Sequence, residues 1–139
     1  MNFEEKEREI ENKILSFQEK DRLVFGSNMT AQQIMVKLDD LLFLQQVLFE
    51  EAMELMPEVD NLLDISERFY KDKQLVLYQE IASDQTINKS NRLTILELKS
   101  APYKAVVDGV KLLKHKIENL IEKEKERLWT LRAMKKSFM

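Results

Sequence analysis

The chain contains no cysteine, one histidine, two glycines and two prolines in 139 residues. Without cysteine there is no disulfide, no thiolate metal site and no cysteine nucleophile. With His115 alone, a multi-histidine metal centre is excluded as well. Two glycines do not furnish a phosphate-cradling glycine loop, a dinucleotide fingerprint or the tight turns of a β-sandwich. Long apolar runs are also missing. The longest uninterrupted one is Leu41-Leu42-Phe43-Leu44, against about 20 residues for a membrane span. The start of the sequence, Met1-Asn2-Phe3-Glu4-Glu5-Lys6-Glu7, is charged and mostly acidic, unlike a secretory signal. The expectation is a cytoplasmic, all-α protein without a cofactor, of bacterial or viral origin.

What is abundant is charge, unevenly placed. Residues 1–88 hold 9 basic and 19 acidic side chains; residues 89–139 hold 13 and 6. No basic residue stands between Lys37 and Arg68, whereas nine acids do. Such asymmetry points to two faces with different partners, or to segments that attract one another.

Periodicity sets the helices. Phe3, Ile10, Ile14 and Phe17 form one stripe, so a first helix is predicted to about Leu23, with Gly26 as its left-handed C-terminal residue. Thr30 and Gln33 make a T-x-x-Q capping box, which starts a second helix at Thr30. Twelve of the 19 residues from Leu38 to Met56 are apolar, wider than one stripe, which predicts burial on several sides or contact with another subunit. Pro57 predicts a new helix or a kink there, with the acidic pair of segments covering 30–82. Ser83-Asp84-Gln85-Thr86 reads as a turn. A helix from about Ile87 to Leu98 follows, and Ser100 with Pro102 either caps a new helix or kinks a continuous one.

In the last segment, Val106, Val110, Leu113, Ile117 and Leu120 step 4-3-4-3, the spacing of a coiled coil. Glu124 interrupts this register, and the stripe is expected to pass to Ile121, Leu128 and Leu131. Some 36 residues make a rod of about 54 Å, longer than the roughly 37 Å of a compact globule of this size. The expected fold is an elongated single domain of helical hairpins with a long C-terminal helix. The overshoot also predicts a homo-oligomer.

Two clusters carry candidate chemistry. The first is basic: Lys123, Lys125, Arg127, Arg132, Lys135 and Lys136, with Trp129 and Phe138 among them. Cations neutralise phosphates and aromatic rings stack on unpaired bases, so these residues are the candidate site for single-stranded nucleic acid. Glutamates at 118, 122, 124 and 126 interleave with the lysines of the middle of the helix, as in a solvated coiled coil; the tip from Arg127 to Met139 has no acid. The second cluster is acidic: Asp39, Asp40, Glu50, Glu51 and Glu54, a candidate surface for a protein partner. Glu50-Glu51-Ala52-Met53-Glu54 also resembles the E-E-x-x-E half of the magnesium site of all-helical nucleoside-triphosphate pyrophosphohydrolases, in which carboxylates one turn apart share divalent cations. That family has E-x-x-D on the next helix. Here no glutamate has aspartate three residues later, and Asp64-Ile65-Ser66-Glu67 is the nearest counterpart, in reversed order.

From about Asn88 onward the chain is similar to the small helical recombination-mediator proteins of phages. The similarity is carried by Lys89-Ser90-Asn91-Arg92, Pro102-Tyr103-Lys104, the row Leu113, Ile117, Leu120 and Ile121, and the tip Arg127 with Leu131-Arg132-Ala133-Met134. It implies a non-enzymatic, oligomeric accessory of DNA recombination or replication.

Overall fold

The computed structural model describes residues 2–25 and 30–137. Its described residues form three α-helices and one short 3-10 turn, with no strand. Helix α1 is Phe3–Phe25, α2 is Ala31–Ser83 and α3 is Arg92–Ser137. At 1.5 Å per residue, α2 is about 80 Å long, α3 about 69 Å and α1 about 34 Å. The all-α, elongated architecture expected from the sequence is what is found.

Helices α2 and α3 make an antiparallel hairpin. The capping box at its start is complete, with the Thr30 hydroxyl accepting from the Gln33 backbone and the Gln33 side chain accepting from the Thr30 backbone. At the other end Asp84 stops α2, and its Oδ1 accepts from the Thr86 backbone and hydroxyl at 2.9 and 2.6 Å. The 3-10 turn Lys89–Asn91 then leads into α3.

The prolines do not divide the helices. Pro57 lies inside α2 and Pro102 inside α3, so neither starts an element. Ser100 is accordingly no N-cap; it is buried within α3 and its hydroxyl donates to the Leu96 carbonyl at 2.7 Å. The reason lies in packing. From Leu38 to Ser66 the buried residues of α2 run Leu38, Leu41, Gln45, Leu48, Ala52, Leu55, Val59, Leu62 and Ser66, alternating three and four residues without a break. That row crosses Pro57 in phase, and Pro57 itself is exposed. A proline inside a helix costs about 3 kcal/mol. Breaking the helix would take the second half of the row out of register with α3.

Helix α3 answers with Val110, Leu113, Ile117, Leu120, Glu124, Leu128 and Leu131. Val107 is buried in place of the expected Val106. Glu124 does not interrupt this row but belongs to it, fully buried. Helix α1 lies along one side of the middle of the hairpin, with Ile10, Ile14 and Phe17 in the main core. Its beginning is held by Phe3, whose ring stands 5.4 Å from that of Phe69; Phe69 in turn is 5.7 Å from Tyr103. Gly26, Met29 and Phe138 lie outside the described residues.

Helix α2 is not buried all round within one chain, which leaves the other expected alternative, contact with another subunit. Phe43, Leu44 and Met53 are 69%, 40% and 47% exposed. Among the described residues only α3 and α1 pack against it, and they cover two of its sides.

Candidate functional site

The basic cluster divides into two groups on α3. Lys123 and Arg127 turn toward α1, where both reach the carboxylate of Asp21, itself only 6% exposed. Lys125, Trp129, Arg132 and Lys136 step 4-3-4 along a different, exposed face. Along this face lies a shallow groove of about 500 Å³, lined by Glu122, Lys125, Glu126, Trp129 and Thr130. The Trp129 side chain is 68% exposed, although a large aromatic ring gains most by burial. Arg132 donates to the Gln46 side chain at 3.3 Å, and Lys135 pairs with Asp39 of α2 at 2.9 Å. The structure therefore brings four of the seven basic-site residues onto one face and commits Lys123, Arg127 and Lys135 to contacts within the chain.

The acidic cluster divides in the same manner. Asp39 is tied to Lys135, and Glu51 to Lys20 of α1 at 3.4 Å. Asp40, Glu50 and Glu54 remain exposed on α2, which also exposes the ring of Phe43. The pyrophosphohydrolase comparison has no geometric counterpart. Asp64 and Glu67 sit on the same helix as Glu50, Glu51 and Glu54, about three turns beyond the last of them, rather than facing them from another helix. Asp64 pairs with Arg68 at 2.9 Å. Among the described residues no three histidines, aspartates or glutamates are grouped to hold a metal ion. His115 is exposed, with Nδ1 3.6 Å from Glu118.

Sequence reasoning missed a buried polar layer at the end of α1. Gln45 of α2 and Glu124 of α3 are both fully buried, and the Gln45 amide donates to the Glu124 carboxyl and to its backbone carbonyl. Asp21 of α1 and Arg127 of α3 complete the layer. Burial, followed by the nearby Asp21 carboxylate, pushes the Glu124 carboxyl up to about 7, against the opposing pull of Gln45 and Arg127. One oxygen each of Gln45 and Glu124 has no hydrogen-bond partner. The available signal was positional: Gln45 and Glu124 stand where the core rows of α2 and α3 require apolar residues.

A second missed feature is a further apolar row on α2. Leu42, Phe49, Met56, Leu63 and Tyr70 recur every seven residues, the first four each one place after a core residue, and all are half-buried. They line the groove between α2 and α3 on the side away from α1, where Ile121 of α3 is half-buried too. No protein-family model matches this chain, no curated protein matches it, and no solved structure does. No described helix is long and apolar enough to cross a membrane.

Proposed function

We propose that the chain is a non-enzymatic accessory of nucleic-acid metabolism, of the phage recombination-mediator kind, that binds single-stranded nucleic acid through the Lys125–Trp129–Arg132–Lys136 face. The observation that supports this reading best is the exposed indole of Trp129 set among those cations. Stacking on a base gives such a ring a partner, and the flanking cations meet the phosphates on either side. Lys123 and Arg127 contribute less, because Asp21 neutralises them.

Trp129 is the only tryptophan, so its own fluorescence reports the contact. Titration with an oligothymidine at about 50 mM salt is expected to quench the emission, with affinity falling roughly twentyfold at 200 mM if three phosphates are met. Trp129→Ala, assayed with a labelled oligonucleotide, is expected to weaken binding about tenfold or more. Unchanged emission at the lower salt rejects the reading. A second reading, a protein adaptor, is favoured by Asp40, Glu50 and Glu54, exposed on α2 together with Phe43, which suit a basic partner with an apolar pocket.

A further inference from the structure

We infer that two copies of this chain pair through the groove that α1 leaves open, so that α2 of each copy lies against α3 of the other in a four-helix core. The floor of this groove is the seven-residue row from Leu42 to Tyr70, about 42 Å long. Across two helices it offers roughly 800 Å² per copy, the size that specific interfaces bury. Such a row is what a helix carries when it packs against more than one neighbour, and the chain supplies α2 with no helix on that side among the described residues.

The walls of the groove identify the occupant. On α2 the wall positions are Asp39, Gln46, Met53, Asp60 and Glu67; on α3 they are Lys104, Lys111, Glu118, Lys125 and Arg132. One wall carries three carboxylates and no cation, the other four cations and one carboxylate. Take the buried Gln45–Glu124 contact as the common level and step seven residues along both helices. Glu67 is then level with Lys104, Asp60 with Lys111, Gln46 with Lys125 and Asp39 with Arg132. A twofold axis parallel to the helices preserves these levels and sets each acidic wall against the basic wall of the other copy. A twofold axis across the helices would instead oppose acid to acid. Within one chain Asp60 also reaches Lys114 at 2.9 Å and Asp39 reaches Lys135. Glu67 and Lys104 make no ion pair within the described residues. Lys125 and Arg132 also belong to the proposed nucleic-acid face, so the pairing is tested without nucleic acid and at Glu67 and Lys104, which that face does not use.

Sedimentation equilibrium at about 50 µM protein and 0.1 M salt is expected to give twice the chain mass of 16.5 kDa. Met53→Asp, at a site already 47% exposed, and Phe49→Asp are each expected to weaken dimerisation at least tenfold while helical circular dichroism is retained. Leu98→Asp, 72% exposed away from the groove, is expected to leave it intact. Glu67→Lys and Lys104→Glu should each loosen the dimer, and the double exchange should restore it. A monomer at this concentration overturns the proposal. So does an assembly of any size that survives Met53→Asp and Phe49→Asp, or one that the double exchange fails to rescue.

Discussion

The two sides of the hairpin start from the same α2–α3 contact and differ in what the chain lays over them. On the covered side, α1 inserts Ile10, Ile14 and Phe17. Ion pairs close the margins, Lys13 with Glu58 at 2.6 Å and Lys20 with Glu51 at 3.4 Å. On the open side the apolar row of α2 stays half-buried with no third helix over it among the described residues, and the ion pairs at its margin, Asp60 with Lys114 and Asp39 with Lys135, join only α2 and α3. The lesson is that the same helix shows its apolar spacing on both sides, while burial is decided by whether a third element is present. The difference also explains the acidic excess of α2. Some of its carboxylates serve α1, others bond to α3, and the remainder line the open margins.

The sharpest way to break this comparison is to remove a large apolar side chain from each side. Phe17 is 4% exposed in the core under α1, so Phe17→Ala is expected to cost about 3–5 kcal/mol of unfolding free energy. Met53→Ala on the open side should cost under about 1 kcal/mol at protein concentrations low enough for a monomer. Urea unfolding at about 1 µM measures both. Equal losses would mean that the open groove is as buried in solution as the covered one.

The next effect distinguishes the polar layer from the apolar layers beside it. Glu124 faces Asp21 from α1, Gln45 from α2 and Arg127 from its own helix, with Lys123 on the far side of Asp21. With its carboxyl raised from 4.5 to about 7, the folded chain holds a proton that the unfolded chain has already lost. Stability therefore falls as pH rises from about 4.5 to about 7 and stays low above that. The shift amounts to at most about 3 kcal/mol. Glu124→Gln keeps a group for Gln45 to bond and removes the buried charge. Its melting temperature is expected to exceed that of the parent at pH 8 and to match it near pH 5. A difference independent of pH would show that ionisation of Glu124 is not its cause.

Much of this was legible in the sequence, for definable reasons. The T-x-x-Q box, the α1 stripe and the row from Val110 to Leu120 are local patterns, and each forms as its spacing predicts. Pro57 and Pro102 left open whether a helix starts or continues there, because a proline's local cost is visible in sequence, whereas the register of the buried rows 38–66 and 107–131 that outweighs it is distributed. Glu124 misled because a charge in a core row is read as an interruption; its partners Gln45 and Asp21 lie 79 and 103 positions away. The basic cluster was recognisable by composition. Its division into a face tied to Asp21 and a face around Trp129 depends on which side α1 occupies, and no spacing within α3 records that.

The smallest effect tests the position of α1 on the covered side. Gly109 lies within α3 without a positive φ, so its backbone does not require glycine. A Cβ there would meet only the Glu7 carboxylate of α1, at 3.5 and 3.6 Å, which is ordinary contact. Glycine inside a helix costs about 0.5–1 kcal/mol relative to alanine. Gly109→Ala is therefore expected to raise stability by about that amount in thermal or urea unfolding. A loss would place α1 closer to α3 than these distances allow, with glycine serving to admit it. A gain leaves α1 seated mainly on Ile10, Ile14 and Phe17, which makes the covered side a matter of apolar fit rather than close backbone approach.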